Sequence, residues 1–196
     1  GCFNDEAPYF WLCDDNGSTR YGFSISKSAP DCLVCPSEDM THAEVIVEGE
    51  ASLAKKAFAL NNAAMIMYAA TTLPKATLMV HASVVNCDDG GFMFLGRSGT
   101  GKSTHSRQWL ELYPDAELLN DDNPIVRVLE GEAVVFGSPW SGKHGLDTNT
   151  SAPLKGICIL YRGSENKIRR IGIEDAVEML HHQSYVSENA VSQKKV

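Results

Sequence analysis

The feature that most restricts what this chain can fold into is an octapeptide, Gly96-Arg97-Ser98-Gly99-Thr100-Gly101-Lys102-Ser103, directly behind the apolar run Phe92-Met93-Phe94-Leu95. It satisfies GxxxxGK[ST], a pattern with physical meaning only where a strand precedes it and a helix follows. Both are predicted: 92–95 reads as a strand, and 103–113 as a helix stopped by Pro114. Glycine lets successive backbone N–H groups turn inward around phosphate oxygens, and the helix start aims its positive end at them. Lys102 adds a cation between β- and γ-phosphates, and the Ser103 hydroxyl suits a magnesium ion. Residues Gly96 to Ser103, with Thr104 behind them, are therefore read as a cradle for ATP or another nucleoside triphosphate together with Mg²⁺ or Mn²⁺.

A metal needs more than one hydroxyl. The segment Leu118-Leu119-Asn120-Asp121-Asp122 puts tandem carboxylates at the end of a short predicted strand, 117–119, in the manner of a Walker B element. Upstream, 78–85 and 92–95 read as two strands joined by Asn86-Cys87-Asp88-Asp89-Gly90-Gly91, a strong hairpin signal. A turn centred near Asp89 pairs His81 with Arg97 and Ser83 with Leu95. Residues 81 and 83 share a face by the strand period, so His81 is predicted at the mouth of the phosphate loop. There an imidazole can meet a γ-phosphate, a metal or an acceptor.

A tight hairpin forces antiparallel pairing, so the expected fold is α/β with a mixed rather than all-parallel sheet. That separates the chain from Ras-like and adenylate-kinase-like architectures. No guanine-reading Asn-Lys-x-Asp is present, since Asn166-Lys167 continues as Ile168-Arg169. The opening fifty residues look β-rich, with strands at 9–12, 20–26 and 43–47, and 52–70 reads as a long, largely buried helix. A second hairpin joins 125–129 to 133–136 through Glu130-Gly131-Glu132. The Gly/Ser/Asn-rich stretch 137–153 is too long for an ordinary connector and is a candidate active-site loop. Strands at 157–161 and 167–171 and a helix at 173–183 complete the prediction. The expected organisation is a β-rich part plus helix, 1–70, packed on a core, 71–196, as one compact domain.

A net charge of −8 and the lack of Lys/Arg clusters argue against a nucleic-acid surface. No run of about 18 apolar residues predicts a membrane span. Asp5, Glu6, Asp14 and Asp15 interrupt any leader-like apolar stretch, so the expected location is cytoplasmic. The six cysteines are expected reduced, and Cys32-Leu-Val-Cys35, with no second half for a zinc site, reads as small apolar side chains on a short strand.

His81-Ala82-Ser83, the short hairpin, FLGRSGTGKST and LLNDD together resemble the nucleotide-binding core shared by HPr kinase/phosphorylase and ATP-dependent phosphoenolpyruvate carboxykinase, over about 78–122. The resemblance implies a carboxykinase-like P-loop core with a largely antiparallel mixed sheet and flanking helices. It implies Lys102 on phosphates, Ser103 and Asp122 at the metal, Asp121 as acid/base for an acceptor hydroxyl, and His81 beside the transferred phosphoryl. Thr104 is nearer the carboxykinase pattern than the glutamate usual in HPr kinases, yet the further arginines and metal-binding lysine of carboxykinases have no obvious counterparts. Gly137-Ser138-Pro139-Trp140-Ser141-Gly142-Lys143 is similar to a segment of small HPr-kinase-like proteins, with Lys143 a candidate clamp for a phosphate or acceptor. Arg162 and Arg107 are weaker candidates for stabilising transition-state charge.

Three functions follow as expectations. The first is a kinase moving the γ-phosphoryl of ATP to a hydroxyl of a protein, peptide or small molecule. A carboxykinase-like lyase and a nucleotide-binding regulatory module without turnover are the alternatives, and the sequence is compatible with a homo-oligomer.

Overall fold

The computed structural model describes residues 9–15, 18–26, 30–88, 90–142 and 148–185. The chain divides into two compact units, 1–71 and 72–196.

The first unit is an antiparallel meander of β1 (Tyr9–Asp15), β2 (Ser18–Ser24), β3 (Cys32–Pro36) and β4 (Ala43–Val47), followed by α1 (Leu53–Thr72). Alternation along β2 and β3 turns Phe23, Cys32 and Val34 inward, where they pack with Ala59, Ala63 and Ile66 of α1. Exposure of α1 is concentrated in its first half, at Leu53 and Leu60, while Asn62, Ala63, Met65, Ile66 and Ala69 beyond them are buried, much as expected. Cys32 and Cys35 lie on β3, and burial pushes the Cys32 thiol pKa up, as for a core side chain and not a reactive thiolate.

The β3–β4 turn carries a testable electrostatic device. The Asp39 carboxylate accepts hydrogen bonds from Ser37 Oγ (2.7 Å), Thr41 Oγ1 (2.9 Å) and Thr41 N (3.1 Å). These bonds favour the charged form, chiefly the one from Ser37, and lower its pKa to about 2. A depressed folded pKa stabilises the turn above the unfolded value of 3.8 and loses that effect as pH falls towards 2. The protection factor of the Thr41 amide should therefore fall across that window in the native chain and stay flat in Asp39→Asn; equal pH dependence of the two protection factors would refute the assignment.

The second unit is built on a seven-stranded sheet ordered β5 (Thr77–Met79), β9 (Ile125–Leu129), β10 (Glu132–Phe136), β11 (Ser151–Ile159), β7 (Gly90–Leu95), β6 (Ala82–Cys87) and β8 (Glu117–Asn120). Among the described strands β7 and β11 pair parallel and every other pair is antiparallel, so the fold is α/β with a mixed sheet. Helix α2 (Lys102–Leu112) packs on β6, β7 and β8, and Leu180 of α3 (Ile173–His182) packs against the opposite face. Both faces of β6 and β7 are thus covered, which explains why they read as continuous apolar runs. Val84, Met93 and Leu95 face one core with Leu119, Val135 and Ala152; Val85 and Phe94 face the other with Trp109 and Leu110 of α2.

Several expectations are corrected. The predicted strand 78–85 is interrupted at Val80-His81, with β5 pairing β9 and β6 pairing β7 and β8. The β6–β7 turn is tighter than predicted, because Cys87 pairs with Gly90 and Asp88 itself takes the left-handed conformation (φ 50°). Aspartate tolerates that region through local hydrogen bonding, which leaves both glycines to β7. The register is therefore one residue off: Ser83 faces Phe94 and Ala82 faces Leu95. The predicted strand at 157–161 is the end of a longer one starting at Ser151, and 167–171 is not a strand.

Candidate active site

Residues 96–101 connect β7 to α2 as a closed turn: Thr100 donates from both N (3.1 Å) and Oγ1 (2.6 Å) to the Arg97 carbonyl. Gly99 (φ 71°) and Gly101 (φ 113°) occupy backbone regions that L side chains rarely adopt. No atom lies within 4 Å of where a Gly101 Cβ would be, so backbone conformation and not space demands glycine there. Lys102 opens α2 and is only 8% exposed; its Nζ donates to the Gly96 carbonyl at 3.0 Å, folding the ammonium back over the loop. Arg97, Ser98 and Gly99 are exposed along the rim, Ser103 is half-buried in the first helical turn and Thr104 points outward. The first N–H groups of an α-helix lack intrahelical acceptors, so the start of α2 behind this loop is where an anion can be met.

Two distant segments deliver the carboxylates. Residues 77–84 and 120–127 lie antiparallel in one register, bridged across the strand break by Val80 N to Pro124 O (3.1 Å) and Ala82 N to Asp122 O (3.0 Å). This sets Asp121 and Asp122 beside His81 and Ser83. His81 Nε2 lies 3.5 Å from Asp122 Oδ1, with the imidazole about one third exposed. The register slip puts Ser83, and with it position 81, on the Phe94 face of the sheet and not the predicted Leu95 face; that is the face α2 covers, and His81 reaches Asp122 through the pairing of 80–82 with 122–124.

Ser83 Oγ donates to Asp121 Oδ1 at 2.7 Å and lies 2.6 Å from Ser106 Oγ of α2. Ser83 has one hydroxyl proton and gives it to a carboxylate that can only accept, so Ser106 must be the donor to Ser83. Both hydroxyls are buried, and the chain Ser106, Ser83, Asp121 ties the helix that carries Lys102 to the first carboxylate.

Burial raises the Asp122 pKa above the ordinary carboxylate value; the Lys102 ammonium opposes that, Asp121 reinforces it, and a hydrogen bond from Asn123 Nδ2 (2.9 Å) lowers it. Tyr185 is affected in turn: burial raises its phenol pKa, and the Asp122 charge adds to the shift. Residues 183–185 form an edge against 79–81, with His81 N donating to Gln183 O (2.7 Å) and Tyr185 N to Met79 O (3.0 Å).

The arrangement thus brings together Gly96 to Ser103, His81, Asp121 and Asp122, with Thr104 on the outer side of the helix start. Lys143 lies outside the described residues. Arg162, at the end of the segment leaving β11, donates from Nη2 to the Gly99 carbonyl and so sits on the 96–101 loop, whereas Arg107 is exposed on α2. Sequence reasoning missed Ser106, Asn120, Ser138 and Tyr185. Only Asn120 had a local signal, since Asn ahead of two aspartates favours a side-chain-capped turn.

The oxygens available for a cation are the Ser103 hydroxyl and the Asp122 carboxylate, hard ligands that suit Mg²⁺. Among the described residues no group of three His, Cys, Asp or Glu could hold a metal ion unaided. No helix among the described residues is long and apolar enough to cross a membrane. No known protein-family model matches the chain, and no curated protein sequence matches it.

Proposed function

We propose that this chain is a P-loop phosphotransferase that binds Mg²⁺·ATP in a core of the HPr kinase and phosphoenolpyruvate carboxykinase type and moves the γ-phosphoryl to a hydroxyl acceptor. The observation that carries the reading is the convergence of a donor-lined loop and its buried lysine with a carboxylate pair, a histidine and an oriented serine relay. A plain phosphate-binding loop needs only the first of these.

The chain's groups divide the work. The loop N–H groups and Lys102 hold the β- and γ-phosphates, while Ser103 and Asp122 would hold the magnesium ion. When bound, the ion neutralises charge on the phosphate oxygens. Asp121, with Oδ1 occupied by Ser83, presents its remaining oxygen to the acceptor and takes the hydroxyl proton as the new O–P bond forms. The bond from Pγ to the bridging oxygen breaks and ADP leaves. His81 and Arg162 border the region where charge develops, His81 beside Asp122 and Arg162 at Gly99.

The test is incubation with γ-labelled ATP, Mg²⁺ and a lysate, followed by separation of proteins, peptides and small molecules. Label on an acceptor hydroxyl, lost without Mg²⁺, is the expected result. ATP binding with no labelled species would favour the regulatory module, and nucleotide turnover dependent on oxaloacetate would favour the lyase.

A further inference from the structure

Asn120 ends β8 with no exposed surface, and its amide is used in both directions. Oδ1 accepts from Asp122 N (3.0 Å) and Asn123 N (2.9 Å), while Nδ2 donates to Ser138 O (3.0 Å) and Ser138 Oγ (3.3 Å). Ser138 is itself buried; its hydroxyl donates to Asn123 O (2.6 Å) and accepts from Trp140 N (3.2 Å). Asn123 N also meets Trp140 O at 3.0 Å. The strip 138–140 therefore lies along the carboxylate turn, fixed by two side chains that touch neither phosphate nor acceptor.

The same strip is anchored at its far ends. Gly137 N donates to Thr150 O (3.0 Å), and Thr148 Oγ1 reaches Leu119 O (3.3 Å). A Cβ on Gly142 would lie 3.1 Å from Asp122 Cβ, so the backbone there rests directly on the second carboxylate. A surface loop needs none of this. The hydrogen bonds of Asn120 and Ser138 offset the cost of burying two polar side chains, and a fully satisfied buried network of this kind holds the turn in one geometry.

We propose that Asn120 and Ser138 are positioning residues: they fix the Asp121–Asp122 turn and couple it to the 138–142 strip, so that this strip responds when magnesium nucleotide engages Asp122. This rests on the reading above for the binding of magnesium nucleotide and, in its kcat arm, for turnover. Removing such an outer support of a metal-ligating carboxylate typically costs about 10- to 100-fold in metal affinity or activity.

The test uses Ser138→Ala, Ser138→Thr and Asn120→Leu in the full chain. Magnesium-free ATP affinity, measured in EDTA, should stay within about twofold in Ser138→Ala, since the loop and Lys102 are untouched. The magnesium concentration for half-maximal nucleotide binding should rise about tenfold, and kcat should fall by a similar factor with little change in the KM for ATP. Ser138→Thr keeps the hydroxyl and should restore both. With 5-fluorotryptophan, the ¹⁹F resonance assigned to Trp140 by Trp140→Phe should shift on adding Mg²⁺ and a non-hydrolysable ATP analogue to the native chain, and barely shift in Ser138→Ala. Asn120→Leu should show the larger version of each change; if it does not fold, Ser138→Ala decides alone.

The inference is overturned if Ser138→Ala matches the native chain in magnesium dependence and Trp140 response, or if EDTA affinity falls as much as magnesium affinity. A native chain that transfers no phosphoryl group would sink the kinase reading alone, because magnesium-dependent binding and the Trp140 resonance would still report positioning. A native Trp140 resonance indifferent to a magnesium nucleotide that titration shows to be bound would sink the coupling itself, whereas a native chain that binds no ATP would sink the reading above.

Discussion

Asp121→Asn is expected to slow phosphoryl transfer by about 10²- to 10⁴-fold, the range that a positioned general base contributes. ATP affinity should stay within a few-fold of native. Asparagine keeps an oxygen where Ser83 Oγ donates, so the Ser106 and Ser83 relay persists and the turn held by Asn120 is undisturbed. What is lost is the ability to take a proton from the acceptor. Single-turnover transfer beside equilibrium nucleotide binding separates the two effects. Transfer at the native rate would remove Asp121 from the chemistry, while loss of binding and transfer together would give it a structural role. Ser83→Ala should cost less, since it frees the carboxylate's orientation without removing the base.

Much of this site could be read from the chain, for local reasons. The loop from Gly96 to Ser103 needs only neighbouring residues to define it: an apolar strand before, a helix after, and glycines where φ is positive. The tandem aspartates were legible as candidates from their place behind a short apolar strand, whereas His81 was named from a hairpin register that proved one residue off and meets Asp122 through the pairing of 80–82 with 122–124. Register was not legible to one residue, since Asp88 and the Gly90-Gly91 pair compete for the same turn and sequence cannot rank them. The interruption at Val80-His81 was hidden for a different reason. It arises from pairing with a segment some forty residues away and from an edge formed by 183–185, and neither is encoded in local periodicity. The roles of Ser106 and Ser138 were invisible on the same grounds, because they come from what the fold brings near, whereas Asn120 had a local signal for capping its own turn but none for its bonds to Ser138. At 167–171 the alternation of Lys, Ile and Arg imitated a strand, but Ile168 is 92% exposed and no partner strand is recorded for it among the described residues.

Lys102→Ala should have the largest effect on nucleotide binding, for reasons of charge and of burial. The residue is 8% exposed and its ammonium is held at the Gly96 carbonyl, so little side-chain entropy remains to be lost when phosphate arrives. A hydrogen bond between charged groups in such a setting contributes about 1.5 to 3 kcal/mol, which predicts a roughly 10- to 100-fold loss of ATP affinity. The substitution also removes the cation that opposes the burial of Asp122, so both halves of the site weaken together. Arginine should rescue poorly, because a planar guanidinium cannot reproduce a compact ammonium folded against one carbonyl. Calorimetric titration of ATP into the native chain, Lys102→Ala and Lys102→Arg gives the comparison directly. Affinity for ATP unchanged in Lys102→Ala would mean that the loop's backbone donors suffice without the lysine, and the division of labour proposed for this site would have to be withdrawn.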